Sequence, residues 1–561
     1  MWIARTLRCS SIRRAPDRRP RELPHRAVTA SPCLASLTPL AANAGVAPDV
    51  VVFESRGVVL VIGDGPAIDA SVRALAGALK VVAFAPGYTE FEAGRASVTV
   101  VGGRVVSLSG VFGSFRAQAA TPGGGSADIG KFSPNADGSF DLVLDLSGTP
   151  LLTRSIAPLG YFAPQCDQAA LADAMDELRR LVGRFAKPRF VDYDASLCAH
   201  GAKGLRGCTQ CLEVCRAGAI RSAGDLVALD TRLCQGCAGC TLACPTGALS
   251  FSRPSPATLR ASLRRLVDVA RSEGYPASVI VAHVPADLAA IEAANLSARA
   301  RTLQIDALPA FGEELWLEAL ASGAGGVVMV RNASATIEEQ TLLDRKIAEA
   351  RILLGGSGVS PLRLALVSVE ALAAAVDVMP QQIGGASGRA ATHTTTGAKR
   401  TALLAALDAL HAASDGAMTP LALAPGMPFG EVAVDRAKCT LCFACANLCP
   451  AEAFVAEPEP VPKLRFVEAR CVQCGLCEAG CPEHAITLHP RFMVDAAARG
   501  KARMLHEDEL FCCIECGTAF ISRRLLASSL ERLKDHPVLG EGGVERLKMC
   551  PVCRQRTTMM G

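Results

Sequence analysis

The pattern of apolar and polar positions predicts two regions of mixed α/β structure. In the first region, short apolar runs typical of buried strands flank one segment with helical periodicity. The strand-like runs are VVLVIG, KVVAFA, ASVTVV and DLVLDLS, and the helical segment is PAIDASVRALAGALK. We therefore expect an α/β domain over residues 48–187. It ends in an amphipathic helix, QAALADAMDELRRLVGRFAK, whose apolar side is expected to pack on the cysteine-rich segment that follows.

The second region covers residues 256–382 and repeats the alternation of strands and helices. Its strand-like runs are ASVIVAH, TLQIDAL, GGVVMVR and LRLALVS, and helical segments separate them. This order predicts a small doubly wound α/β domain. Residues 383–428 begin with the polar, glycine-rich GGASGRAATHTTTGAK, which predicts a linker, and continue with the helical RTALLAALDALHAA.

Gly63 and Gly65 lie at the first predicted strand-to-helix turn, where backbone could approach a dinucleotide phosphate. A third glycine is missing, and no acidic residue ends a second strand at the expected distance. The pattern favours a tight βα turn over a nucleotide site.

Composition and charge exclude several classes of function. The net charge is +4, and no dense Lys/Arg tract lies in a predicted folded region, so nucleic acid is not an expected partner. No apolar run approaches the roughly 18 residues of a membrane span, so we expect a soluble, cytoplasmic protein. The first 30 residues contain eight arginines but lack the apolar core of an export signal, and residues 1–47 are expected to be a disordered or mispredicted start.

The 24 cysteines are too many for a reducing compartment unless they bind something. Four similar units, CRAGAI, CPTGAL, CPAEAF and CPEHAI, each follow clustered cysteines. They form two pairs, and no cysteine lies between residues 245 and 438. The sequence therefore contains two copies of a module with two motifs.

The second copy contains CTLCFACANLCP and CVQCGLCEAGCP, both with the spacing C-x2-C-x2-C-x3-C-P. Three closely spaced thiolates can surround one iron–sulfur cubane, and the fourth cysteine of this run ligates the neighbouring cluster. Zinc also binds C-x2-C pairs, but it uses pairs a dozen or more residues apart. The spacing favours iron–sulfur clusters over zinc.

Residues 188–255 and 429–490 each resemble a bacterial two-cluster ferredoxin. The resemblance implies four [4Fe-4S] clusters and pairs of motifs that exchange their last ligand. In the second module it implies two ligand sets, Cys439, Cys442, Cys445 and Cys481, and Cys471, Cys474, Cys477 and Cys449. In the first module it implies Cys234, Cys237, Cys240 and Cys215.

The remaining set departs from the family pattern. Leu205 stands where the first cysteine is expected, and Arg216 replaces the proline after Cys215. Cys198 lies seven residues earlier, and three glycines in the intervening AHGAKGLRG would let the chain return its thiolate. We assign Cys198, Cys208, Cys211 and Cys244 to this cluster. The alternatives are a three-iron cluster or an empty site with Cys198 free.

Two charged or titratable residues lie near the ligands of the first module. Arg216 follows Cys215 and is expected to raise the reduction potential of the cluster that Cys215 binds. His200 lies in the insertion, where it is either a solvated loop residue or a donor to a cluster sulfide. The solvated position is the simpler interpretation.

A different metal site is predicted in residues 491–561. Cys513 and Cys516 form one knuckle and Cys550 and Cys553 a second, with a helical stretch between them. Four thiolates in this arrangement favour one structural zinc over a rubredoxin-like iron. Cys512 is an alternative to Cys513, although only Cys513 gives the two-residue gap. The remaining cysteines, Cys9, Cys33 and Cys166, are isolated.

Two further resemblances bear on function. The segment from ALASGAGGVVMVRNASATIEEQ to LRLALVSV is faintly similar to the delta subunit of methyl-viologen-reducing hydrogenase, although it lacks that family's cysteines. The overall arrangement resembles ferredoxin-like proteins that accompany formate dehydrogenases. We expect an electron carrier that relays electrons between redox partners and has no substrate site of its own. The alternatives are an electron-input subunit with flavin or nicotinamide in residues 48–165, and an assembly factor for a metalloenzyme.

Overall fold

The structure, a computed structural model, describes most of the chain, with gaps near the N-terminus and in several loops. The described residues are 21–22, 50–64, 66–86, 98–153, 156–164, 167–332, 335–380, 398–414, 416–459, 461–533 and 540–560. Among these residues, no helix is both long and apolar enough to cross a membrane. Residues 384–397 of the predicted linker, Gly65 and the isolated Cys9, Cys33 and Cys166 lie outside them, whereas its last residue, Lys399, begins a helix.

A five-stranded parallel sheet forms the centre of the N-terminal region. Its strands, in spatial order, are Tyr161–Phe162, Leu142–Leu146, Val58–Gly63, Lys80–Ala85 and Val98–Gly102. One face packs on the helices Pro66–Leu75 and Gln168–Arg180 and on the antiparallel pair Val50–Ser55 and Gly183–Pro188. The other face packs on an antiparallel sheet of Val105–Ser109, Arg116–Ala120 and Ser126–Asp128. The predicted strands are near-continuous apolar runs because both faces of the sheet are covered.

The amphipathic helix Gln168–Arg180 was expected to pack on the cysteine-rich module, and that expectation is wrong. Ala174 and Leu178 on the apolar side of Gln168–Arg180 pack in the core of the five-stranded sheet. The helix is also shorter than expected, because GRFAKP forms a strand that pairs with Val50–Ser55. On its other edge, the strand Gly183–Pro188 pairs in parallel with the short strand Arg21–Glu22. Residues 21 and 22 belong to the segment that was expected to be unstructured.

Gly63 illustrates why glycine is required in this sheet. Its φ is +151°, and a Cβ there would lie 2.8 Å from Leu146 Cβ in the adjacent strand. Close approach of the two strands therefore accounts for this glycine without a ligand.

A four-stranded parallel sheet forms the centre of the middle region. Its strands, in spatial order, are Ala300–Gln304, Val279–His283, Gly326–Val330 and Leu364–Val367. One face packs on Pro256–Ser272, Glu313–Ala321, Ile337–Gly356 and Lys399–Ala412, and the other on Leu288–Ala293 and Leu372–Val378. Helices thus cover both faces, as the alternating pattern predicts.

The two cysteine-rich modules have the same plan. In the first, Val191–Tyr193 pairs with Leu249–Phe251, Ile220–Ala223 pairs with Leu226–Leu229, and the short helices are Gln210–Val214 and Gly239–Ala243. In the second, Gly430–Val434 pairs with Ile486–Phe492, Phe454–Glu457 pairs with Lys463–Phe466, and the helices are Ala444–Leu448 and Leu476–Ala479. Additional strands, Leu421–Ala422 and Arg503–Glu507, and the helix Ala496–Gly500 extend the second module.

The C-terminal region consists of one hairpin and three helices among the residues described. Leu510–Cys512 pairs with Ala519–Ser522, and the helices are Arg523–Leu533, Gly540–Leu547 and Pro551–Met560. Ser522 Oγ donates to the carbonyl of Thr440 at 2.9 Å, so the hairpin lies against the second module.

Candidate metal centres

The predicted cluster ligands fall into four groups. Site 1 comprises Cys439, Cys442, Cys445 and Cys481; site 2 comprises Cys449, Cys471, Cys474 and Cys477; site 3 comprises Cys198, Cys208, Cys211 and Cys244; and site 4 comprises Cys215, Cys234, Cys237 and Cys240.

Three of the four cysteine loops share an uncommon backbone. In each, the residues immediately before and after the second cysteine have positive φ. These residues are Leu441 and Phe443 in site 1, Gln473 and Gly475 in site 2, and Gly236 and Ala238 in site 4. Positive φ is rare for non-glycine residues, so its repetition indicates a common constraint on the loop. The three loops therefore share one backbone conformation on either side of the second cysteine.

Site 1 encloses an apolar cavity. All four of its cysteines line this cavity, together with Leu441, Leu464 and Ile486. Burial, reinforced by the charges of Cys439, Cys442 and Cys481, raises the pKa of Cys445 to about 12. The backbone N–H of Ala485 donates to Cys481 Sγ at 3.3 Å. Cys442 is the exposed member of the group, so site 1 reaches the protein surface.

Site 2 is more enclosed. Burial raises the pKa of Cys474 to about 11, and the charges of Cys449, Cys471 and Cys208 add to this rise. The backbone N–H of Ala453 donates to Cys449 Sγ at 3.3 Å, the equivalent of the Ala485 contact in site 1. Such N–H donors stabilise thiolates, because a hydrogen bond to the charged form favours that form.

Site 3 is formed around a β-hairpin in place of the usual loop. Gly201–Ala202 pairs with Leu205–Arg206, and Lys203 and Gly204 at the turn have φ of 51° and 81°. Positive φ at both turn residues matches the right-handed twist of the two strands. The hairpin continues beyond its strands, because Cys208 N–H donates to the carbonyl of Ala199 at 2.9 Å. This pairing returns the chain so that Cys198 lies beside Cys208.

The thiols of site 3 are close enough to influence one another. Burial raises the pKa of Cys211 to about 12, and the charges of Cys244, Cys208 and Cys198 contribute to this rise. Tyr193 also lies here; burial and then a hydrogen bond with Cys198 raise the pKa of its hydroxyl. Cys198 thus lies near Cys208 and Cys211, and its role as a ligand stays a prediction.

His200 is neither solvated nor directed at a sulfide. Its side chain is buried, with Nδ1 2.9 Å from the carbonyl oxygen of Cys208 and Nε2 2.8 Å from Ser222 Oγ. Both ring nitrogens have partners within the module, which explains how an imidazole is accommodated inside it. The expectation of a solvated loop histidine is therefore wrong.

Site 4 has two buried cysteines, Cys234 and Cys240, as site 2 does. Burial raises the pKa of Cys234 to about 11, and the charge of Lys187 opposes this rise. Lys187 Nζ donates to the carbonyls of Arg232 and Cys234, at 2.8 and 2.6 Å. Burial also raises the pKa of Cys240, with contributions from the charges of Cys237, Cys234 and Cys215.

Arg216 beside site 4 is already paired. Its guanidinium lies 3.6 Å from a carboxylate oxygen of Glu338 and 3.6 Å from one of Glu339, at the start of helix Ile337–Gly356. Burial raises the pKa of Cys237, Arg216 lowers it, and Glu339 raises it. The positive charge at site 4 is thus partly neutralised by an element that lies more than 100 residues away in the sequence.

The C-terminal cysteines form a compact group of four. The sulfur atoms of these residues all lie within 4.8 Å of one another; the residues are Cys513, Cys516, Cys550 and Cys553. The Cys516 and Cys550 sulfurs are 3.8 Å apart, close to the roughly 3.8 Å edge of a tetrahedron with Zn–S bonds of about 2.3 Å. The N–H of Cys550 donates to Cys513 Sγ at 3.2 Å. Cys512 is exposed and is not part of this group.

The sequence pattern did not reveal several residues that contact these sites. Lys187, Lys399 and Arg400 donate to backbone carbonyls within the cysteine modules, although all three belong to neighbouring elements. Their side chains were missed because no local spacing connects them to the cysteines. Only the tertiary fold places them there.

Comparison with known families identifies the second module. Residues 438–486 match the family described as a 4Fe-4S dicluster domain. None of the curated proteins compared with the chain is significantly similar to it. This match and the cysteine motifs define a ferredoxin-like iron–sulfur protein of mixed α/β structure.

Proposed function

We propose that the chain is an electron-transfer protein that holds four [4Fe-4S] clusters, one in each of sites 1 to 4. The observation that carries this proposal is the grouping of the sixteen predicted ligands into four sets of neighbouring thiols. The apolar cavity among the site 1 cysteines and the N–H donors at Cys449 and Cys481 fit such a group. When bound, a cluster of this type provides a one-electron redox centre.

The two sites of each module lie next to one another. The charge of Cys445 in site 1 contributes to the raised pKa of Cys477 in site 2, after burial and the cysteines of site 2 itself. Cys211 of site 3 contributes in the same way to Cys240 of site 4. This proximity supports electron exchange within each module.

The partner is a redox protein that docks where site 1 reaches the surface at Cys442. Through the resemblance of the overall arrangement, a formate dehydrogenase is the proposed partner. The middle α/β region, with no cysteine between residues 245 and 438, serves as a scaffold.

The C-terminal group of Cys513, Cys516, Cys550 and Cys553 is proposed to hold one structural zinc. Four thiolates would fill the tetrahedral coordination of zinc, as is usual for a structural site.

A reductive titration tests the electron-transfer proposal. Anaerobically purified protein, titrated with dithionite, should take up about four electrons per chain, one for each cluster. It should then reduce a one-electron acceptor such as cytochrome c. Uptake of two electrons or fewer would contradict four functional clusters.

The same preparation separates the alternatives. A bound flavin spectrum would support an electron-input subunit instead. Normal electron transfer to a ready-made client enzyme, combined with failed maturation of that client when this chain is absent, would support an assembly factor.

A further inference from the structure

The two cysteine modules meet at a tight contact between the hairpin of site 3 and the second helix of the other module. A Cβ added at Gly480 would lie 2.8 Å from Leu205 Cδ1, and one added at Gly207 would lie 2.8 Å from Leu476 Cγ. Each module thus provides one glycine and one leucine to the other. The absence of side chains at the two glycines allows this approach.

Leu205 occupies the position where the cysteine motif would place its first ligand. The hairpin instead directs this residue to Gly480 in the second module. The carboxylate of Asp225 accepts from the turn N–H groups of Lys203 and Gly204, at 2.8 and 2.9 Å, and fixes the hairpin to its own module. The departure from the motif therefore has a structural consequence. Because Cys198, and not residue 205, lies beside Cys208, the Leu205 side chain can pack between the two modules.

The helix Lys399–Ala412 of the middle region also contacts both modules, through side chains at its N-terminal end. Lys399 Nζ donates to the carbonyls of Thr241 and Leu242 in the first module, at 2.9 and 2.7 Å. The next residue, Arg400, donates to the carbonyls of Ala469 and Cys471 in the second module and of Pro428 immediately before it. Two adjacent side chains at one helix end thus contact both modules.

This arrangement brings site 3 close to site 2. Cys208 directly follows Gly207, and Cys474 lies two residues before Leu476, so the residues at the contact flank one cysteine of each site.

We propose that electrons cross between the two modules at Cys208 and Cys474, and that the Leu205 hairpin and the Lys399–Arg400 pair are the elements that position this crossing. The inference rests on the proposed function and adds the order of the four sites along the electron path, which is 1, 2, 3 and 4. Leu205, Lys399 and Arg400 act as positioning residues, since none of them is a predicted ligand.

Substitution at the contact tests this inference in the full chain with its metals. Leu205→Glu places a charge against Gly480 and should open the junction. Leu226→Glu is the matched control, because Leu226 lies in the same module but is 39% exposed. Leu205→Met should preserve the packing. Iron content is determined for each variant, hydrogen–deuterium exchange is followed in residues 199–207 and 476–481, and EPR power saturation is measured on the fully reduced protein.

In Leu205→Glu, we expect exchange to increase at least tenfold in both segments. The half-saturation power of the reduced clusters should fall, because relaxation through the other module is lost. Both properties should be unchanged in Leu226→Glu and Leu205→Met, with iron constant throughout. The inference is overturned if the Leu205→Glu junction stays protected, or if it opens and the saturation behaviour remains that of the unmodified protein. A low iron content in the unmodified protein would instead reject the proposed function.

Discussion

Arg216 shows how distant residues set the environment of a predicted cluster ligand. From the sequence, its charge next to Cys215 was expected to raise the potential of site 4. The structure places Glu338 and Glu339 against the same guanidinium, so the net charge near Cys237 is smaller than the sequence indicates. The effect of Arg216 should therefore be measured together with that of its partners.

Substitution of each member of this ion pair should shift the potential of site 4 in opposite directions. Arg216→Gln should lower it, because the reduced cluster loses a stabilising positive charge, and Glu339→Gln should raise it. A screened charge is worth about 1 kcal/mol, or roughly 40 mV for one electron. EPR-monitored redox titration measures both shifts. Unchanged potentials in both variants would show that the pair does not influence the cluster.

Cys198 is the predicted ligand that departs most from the family spacing. Cys198→Ser should reduce iron from about sixteen to between twelve and fifteen per chain, as site 3 is lost or retains a three-iron cluster. Iron analysis and EPR of the oxidised protein measure the change. Cys512→Ser is the control, since Cys512 is exposed and outside the metal groups. Full iron content in Cys198→Ser would mean that another residue completes the site.

At the scale of elements, the sequence predicted strands better than the contacts of helices. The runs VVLVIG and KVVAFA form Val58–Gly63 and Lys80–Ala85, because continuous apolar runs suit strands buried on both faces. The amphipathic pattern of Gln168–Arg180 identified a helix, but it could not show which core the helix joins. An apolar stripe indicates that one side of a helix is buried, but it does not indicate which element covers that side.

The N-terminal end of helix Lys399–Ala412 is an element whose role could not be predicted. Arg400 is enclosed, and burial lowers the pKa of its guanidinium to about 10, while the charge of Cys471 opposes the change. Its three carbonyl partners lie in residues that no sequence pattern relates to the helix.

Loss of Arg400 should weaken the second module. Arg400→Met leaves three carbonyls without their donor, at about 1 kcal/mol or more for each. The temperature at which the iron–sulfur absorbance disappears should fall by roughly 5–10 °C. Arg180→Met is the control, because the Arg180 side chain is 63% exposed. An equal effect of the two substitutions would show that the Arg400 contacts do not stabilise the module.

The C-terminal helix Pro551–Met560 should depend on the zinc site and not on the iron–sulfur clusters. Cys550→Ser should abolish zinc binding and expose Pro551–Met560 to proteolysis, because the four thiolates connect this helix to the hairpin. Zinc analysis and limited proteolysis measure this outcome, and iron should remain at about sixteen per chain. Simultaneous loss of iron would contradict separate zinc and iron–sulfur sites.

At the scale of the whole molecule, the α/β regions position the two cysteine modules. Lys187 of the N-terminal region contacts the first module, and Lys399 and Arg400 of the middle region contact both. The grouping of the cysteines is a prediction from their spacing, since ligands of one cluster lie close in sequence or exchange within a module. The placement of one module on the other depends on contacts between distant segments, and for that reason it was not predicted.

The most direct test of four clusters and one zinc is a metal analysis of anaerobically purified protein. Iron, acid-labile sulfide and zinc are determined per chain. The account predicts about sixteen iron, about sixteen sulfide and about one zinc. Iron near eight or below, with zinc in excess, would mean that at least one module does not bind its clusters, and would contradict the proposed electron relay.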